Sequence, residues 1–192
     1  MKKIIYLLVI SLFISCAKKV FSEKWTKKIA PEEFRARFET TQGNFDIYAK
    51  RSWSPKGVDR LHSLIKHNYY VEMPIFRVVP NFVAQFGIHK DSLINKAWNN
   101  FTLQDEPVIA KNDSMSISFA RGGKRTRTTQ IYINLKNNHR LDNLTARGVK
   151  GYPVVAKITS GIENVLKFYD KYGNVLGRRQ DSINRYGNKF IR

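Results

Sequence analysis

Arg77 is the only charged side chain in the run Phe76-Arg77-Val78-Val79-Pro80-Asn81-Phe82-Val83-Ala84-Gln85-Phe86-Gly87. A guanidinium is permanently charged, planar and forked. Beside an apolar cleft it can donate several hydrogen bonds without giving up a proton. That suits a reaction in which no bond is made and a polarised transition state must be favoured over the ground state. Residues for other chemistries are missing from the pattern. The four histidines, His62, His67, His89 and His139, show no ligand spacing of the H-E-x-x-H kind. The single cysteine, Cys16, excludes an intrachain disulfide and an all-cysteine zinc site. There is no Gly-x-Ser-x-Gly elbow and no phosphate-cradling loop. Neither a metal nor a cofactor is expected.

Further blocks follow in order. Ser118-Phe119-Ala120-Arg121 precedes Gln130-Ile131-Tyr132-Ile133, then come Leu141-Asp142 and Val154-Val155-Ala156-Lys157-Ile158 with Gly161; Thr41-Gln42-Gly43-Asn44-Phe45 stands upstream. Over about residues 35–170 these resemble the F-H-R-V-I-P-G-F-M-x-Q-G-G, S-M-A-N…Q-F-F-I, L-D, V-F-G-K-V…G and T-x-x-G-x-F blocks of cyclophilins, the peptidyl-prolyl cis-trans isomerases. The resemblance implies a mostly β fold, a closed antiparallel eight-stranded barrel capped by two helices. It also implies rotation of X–Pro bonds, whose uncatalysed barrier is about 18–20 kcal/mol. Arg77 would be catalytic, donating to the imide nitrogen as it regains its lone pair. Phe82, Val83, Tyr132 and Leu141 would wall the proline pocket, with Gln85 holding Arg77 or the substrate backbone. Ala120 and Arg121 would lie along the peptide, Gln130 beside the pocket, and Tyr152 roughly where the family has its active-site histidine. Val83 replaces the common Met, Tyr132 a Phe, Arg140 a Trp and Phe86 a Gly; nine residues, Asn143 to Gly151, separate Asp142 from Tyr152. These departures keep a second reading open, a proline-peptide binding module with weak turnover, anchored to the cell envelope.

The elements around these blocks are mostly short strands. Arg35–Thr40 and Phe45–Ala49 alternate about a Gln-Gly-Asn turn and predict a hairpin. Ser54-Pro55 starts a helix over 55–67, with Val58, Leu61, Leu64 and Ile65 on one face. Ile75–Val79, Phe82–Phe86, Met115–Ala120, Gln130–Leu135 and Pro153–Thr159 read as strands, and Ser160 as the cap of a helix carrying Ile162, Val165, Leu166 and Tyr169. Strands that do not alternate with helices argue for an antiparallel sheet. Only Phe190-Ile191 marks a closing strand, so the final strand stays open.

Apolar residues make up 42% of the 192 and charged residues 26%, which excludes a disordered chain and a multi-pass membrane protein. Lys2 and Lys3 precede an apolar run too short to span a bilayer, the pattern of a secretory signal. Phe13-Ile14-Ser15-Cys16 resembles a bacterial lipobox, so Cys16 is expected to carry lipid. The expected order is a signal peptide (1–15), a polar basic tether (16–33), the cyclophilin-like domain (34–170) and a basic tail (171–192). The expected partners are proline-containing segments of unfolded or folding exported proteins, and the membrane through Cys16. The basic loop Arg121–Arg127 and the net charge of +19 could attract nucleic acid. Export to a periplasm-facing envelope site argues against that. A monomer is expected.

Overall fold

The structure, a computed structural model, describes residues 20–191. The signal peptide, Cys16 and the start of the tether lie outside the described residues. Nine strands are β1 (Glu33–Phe38), β2 (Phe45–Lys50), β3 (Arg77–Val79), β4 (Val83–Phe86), β5 (Ser116–Phe119), β6 (Ile131–Asn134), β7 (Thr145–Ala146), β8 (Val149–Lys150) and β9 (Val154–Ser160). Seven of them form one antiparallel sheet in the order β1-β2-β9-β5-β6-β4-β3, and β7 with β8 makes a small hairpin. β1 and β2 pair from Glu33↔Lys50 to Phe38↔Phe45, as the alternation predicts.

The expected closed eight-stranded barrel is not formed: β1 and β3 remain the two ends of an open sheet. The reason lies at the C-terminus. The stretch that would supply a closing strand is helical, with α6 over Gln180–Tyr186 and a 3-10 turn over Gly187–Phe190. Its apolar residues, Leu176 and Ile183, lie seven apart and pack on Phe76 and Ile88 in a small second core. Residues 171–191 are therefore a folded flank and not a free tail.

The helix at 55–67 is present as α2 (Pro55–Lys66), which buries Val58, Leu61 and Leu64 with Ile47 and Ala49 of the sheet. Its cap differs from expectation. Ser54 makes no side-chain cap. The Glu106 carboxylate, fifty residues away, accepts from the N–H groups of Lys56 (2.7 Å) and Gly57 (3.1 Å). Likewise Ser160 caps no helix; its hydroxyl donates to Asp46 Oδ2 at 2.9 Å. The expected second helix shrinks to one turn, α5 (Ile162–Val165), leaving Leu166 and Tyr169 exposed while Phe168 is buried. Sequence reading missed α3 (Ser92–Asn99), whose N-cap Asp91 accepts from Leu93 and Ile94, and the single turn α4 (Arg140–Asn143).

The tether expectation also needs correcting in its described part. Residues 23–26 form α1 (Glu23–Thr26). Phe21 packs edge-on against the buried Trp98 at 5.3 Å, and Trp25 stacks on His67 at 3.7 Å. Ser63 donates to the Trp25 carbonyl at 2.6 Å. Three lysines, Lys24, Lys27 and Lys28, mark this segment as polar, but its two aromatic rings dock it on the domain.

Candidate functional site

Alternation along five strands builds one face of the sheet. Val78, Ala84, Ile133, Ile117 and Ala156 point into the main core. Their neighbours Arg77, Gln85, Tyr132 and Ser118 are register partners in sequence, Arg77↔Gln85, Gln85↔Tyr132 and Ser118↔Tyr132. A strand sends successive side chains to opposite faces, so the four stand in a row across the opposite face. Val83, Tyr132 and Leu141 form a separate apolar cluster there, with Phe82, Ala120 and Tyr152 packed against it. Gly87 ends β4 with φ +116°; a Cβ there would come within 2.6 Å of Gln130 Cα. That close approach holds Gln130 beside Gln85.

The Arg77 guanidinium is tied down on two sides. Its Nη1 donates to Gln85 Oε1 at 2.9 Å and its Nε to Asn174 Oδ1 at 2.8 Å. Gln85, itself buried, donates on to Gln130 Oε1 at 2.9 Å. Burial lowers the Arg77 pKa from its usual value, because desolvation disfavours the charged form. Two guanidiniums approach the Phe82 ring, Arg77 Cζ at 5.6 Å and Arg140 Cζ at 5.0 Å from its centre. These distances suit cation–π attraction.

Beneath the cluster sits Asn112, which the sequence did not single out. Its Oδ1 accepts from Asn134 Nδ2 (3.1 Å), Ser118 Oγ (3.2 Å) and Tyr132 Oη (3.4 Å). Its Nδ2 donates to Asp142 Oδ1 (2.8 Å) and the Tyr152 carbonyl (2.9 Å). One buried amide thus fixes the floor of the cluster and supplies the partner that a buried tyrosine hydroxyl needs. Burial raises the Tyr132 pKa far above its usual value, so the hydroxyl stays neutral.

Arg121 does not reach out along the groove with its side chain. It donates to the carbonyls of Ala146 (3.0 Å), Val149 (3.0 Å) and Gly151 (2.8 Å), and stacks 4.2 Å from the Tyr152 ring centre. Those carbonyls belong to the β7–β8 hairpin and its exit. The extra residues before Tyr152 are this hairpin, and Arg121 pins it as one wall of the groove. The Ala120 N–H is already donated to the Gln130 carbonyl at 2.9 Å, so it is not a donor for a bound chain.

Arg77, Phe82, Val83, Gln85, Ala120, Arg121, Gln130, Tyr132, Leu141 and Tyr152 all line one groove of about 520 Å³. Sequence reasoning left out Gly122, Thr126, Thr128, Leu144, Arg147 and Gln180, which line it too. Leu144 and Arg147 come with the β7–β8 insertion, and Gln180 with the C-terminal helix; both lie where the motif spacing gives no guide. Among the described residues no group of three or more His, Cys, Asp or Glu could hold a metal ion.

The sequence profile of "Cyclophilin type peptidyl-prolyl cis-trans isomerase/CLD" matches residues 35–184, most of the chain. The chain belongs to the cyclophilin-type peptidyl-prolyl cis-trans isomerases. A peptidyl-prolyl cis-trans isomerase of Acinetobacter baylyi is 28% identical over 138 residues, covering 71% of this chain and 70% of the relative. A peptidyl-prolyl cis-trans isomerase-like 2 of Gibberella zeae is 28% identical over 159 residues, which cover 81% of this chain but 25% of the fungal protein. The crystal structure of a Cryptosporidium parvum cyclophilin-type isomerase superposes with TM-score 0.56 at 19% identity, covering 69% of this chain and 82% of that one. A second structure of that protein, in the presence of the dipeptide Ala-Pro, gives TM-score 0.54 at 18% identity, covering 67% and 80%. This cyclophilin therefore keeps the family's mostly antiparallel fold while leaving its large sheet open.

Proposed function

We propose that this cyclophilin isomerises X–Pro bonds of exported proteins at the cell envelope, held there by lipid on Cys16, with Arg77 as its catalytic group. The observation that carries the catalytic assignment is the pairing of a two-point-anchored guanidinium with an apolar pocket in one groove. The proline ring fits among Phe82, Val83, Tyr132 and Leu141, where its transfer from water is favourable. As the C–N bond twists, amide resonance is lost and the nitrogen regains a lone pair. With Nε and Nη1 committed to Asn174 and Gln85, the Nη2 protons of Arg77 are left to meet that lone pair or the neighbouring carbonyl. The planar ground states offer no such acceptor at nitrogen, so the contact favours the twisted state over both. A partly dry groove strengthens it.

The envelope assignment rests on the positive, apolar, lipobox-like start of the sequence. Two measurements test the reading. Titration with a proline-containing peptide should shift the amide resonances of Gln85, Ala120 and Tyr132 and accelerate exchange between the peptide's cis and trans forms. Binding without accelerated exchange would mark a peptide-binding module with little turnover. Metabolic labelling with a fatty acid should mark the parent and not Cys16→Ala; equal labelling of both would mean that Cys16 carries no lipid.

A further inference from the structure

The C-terminal flank does more than cover Phe76 and Ile88. It meets the groove at both ends of one hydrogen-bonded chain. Asn174 Oδ1 accepts from Arg77 Nε at 2.8 Å; Arg77 Nη1 donates to Gln85, Gln85 Nε2 to Gln130, and Gln130 Nε2 to Gln180 Oε1 at 3.0 Å. Gln180 Nε2 then donates to the Gly177 carbonyl at 3.0 Å, returning the chain to the segment where it began. Gly177 lies directly on the arginine: a Cβ there would stand 2.8 Å from Arg77 Cδ. Residues 174–180 thus hold Arg77 from outside the sheet. Gln85 alone would fix one nitrogen and leave the guanidinium free to pivot about that bond. A second acceptor at Nε sets its plane, and a planar fork held at two points loses less freedom on meeting substrate.

We infer that Asn174 is a positioning residue for Arg77, and that the segment 174–180 is an active-site wall which orients the guanidinium toward the bound X–Pro bond. The inference rests on the assignment of Arg77 as the catalytic group. Asn174 is exposed and its side-chain oxygen accepts from Arg77, so its removal acts on the arginine rather than on the fold. Gly177 supplies an independent handle, since any side chain there pushes on Arg77 without deleting a hydrogen bond.

The test uses the full chain and an X–Pro peptide followed by NMR exchange, giving kcat and KM separately. Asn174→Ala should lower kcat about five-fold, the worth of about one hydrogen bond, with KM and melting temperature unchanged. The Arg77 Nε–H resonance should exchange faster with water in that variant. Asn174→Asp keeps an acceptor oxygen and should restore both readouts. Gly177→Ala should lower kcat in the same sense. Parent-like kcat in Asn174→Ala and Gly177→Ala, with Arg77→Ala inactive, overturns the positioning role and spares the arginine. Parent-like kcat in Arg77→Ala overturns both.

Discussion

Glu106 is the acceptor on which one corner of the domain depends. Its carboxylate takes hydrogen bonds from Ser54 Oγ (2.6 Å), the N–H of Lys56 (2.7 Å), the N–H of Gly57 (3.1 Å) and Arg127 Nη2 (2.9 Å). The Arg127 side chain is 1% exposed and that of Glu106 9%. Glu106→Ala would leave a buried guanidinium with only the Gln104 carbonyl and a long contact to Ser54. Breaking a buried ion pair from one side costs about 3–5 kcal/mol. Loss of the α2 cap adds about 1 kcal/mol. The two effects share one carboxylate and overlap, so the expected loss is about 4 kcal/mol. At about 2–4 °C per kcal/mol for a domain of this size, the melting temperature should fall by about 8–16 °C. Denaturant unfolding followed by tryptophan fluorescence measures the loss directly. The double variant Glu106→Leu with Arg127→Met removes both charges and should lie closer to the parent than Glu106→Ala does. A Glu106→Ala protein within about 1 kcal/mol of the parent would refute the reasoning, because it would mean that Arg127 is satisfied without its carboxylate.

Other expectations follow from the same geometry. Gln85→Leu removes the acceptor for Arg77 Nη1 and the donor to Gln130; kcat should fall about ten-fold, the worth of one to two hydrogen bonds, and a parent-like kcat would show that Gln85 does not hold the arginine. Tyr132→Phe deletes a hydroxyl whose bond to Asn112 is long, 3.4 Å; stability should change by less than about 1 kcal/mol, and KM for a proline peptide should drop as the pocket becomes wholly apolar, whereas a rise would give the hydroxyl a role in binding. Burial holds His62, His67 and His89 below the ordinary imidazole value of 6.5, and hydrogen bonding from His139 does most to lower Asp113. All four shifts are downward, so the unfolded chain binds protons first as pH falls. The histidine contribution is whole above about pH 6.5 and is lost as pH drops through the lowered folded values; the denaturant midpoint should be lower at pH 5 than at pH 7, and an unchanged or higher midpoint would contradict the burial of these rings.

The site was more legible in the sequence than the frame around it. Arg77, Val83 and Gln85 lie on two adjacent strands whose alternation is written in the residues, and period two puts them on one face; Phe82 stands in the turn between the two strands. Tyr132 follows by register from Gln85. The open sheet was not legible, because whether a strand or a helix follows α5 depends on Leu176 and Ile183 finding Phe76 and Ile88 across the fold. Their seven-residue spacing was the available signal, hidden among basic residues. Neither the Glu106 cap nor the Asn112 hub could be read locally: each joins residues far apart in sequence, and an asparagine in a loop looks like any turn residue. The docked N-terminal segment was obscured in the same way, since Lys24, Lys27 and Lys28 surround Trp25, which with Phe21 anchors it.

The proposed catalysis turns on a guanidinium that favours the twisted imide without proton transfer. The most direct measurement is kcat/KM of Arg77→Ala and Arg77→Lys on an X–Pro peptide, by NMR exchange, beside their melting temperatures. Loss of a preorganised transition-state donor should lower the Ala variant about 100-fold or more. Lys keeps the charge but not the fork, and should recover only a small part of the rate. Melting temperatures should stay near the parent's. An Arg77→Ala protein that folds and turns over within a few-fold of the parent would contradict the mechanism.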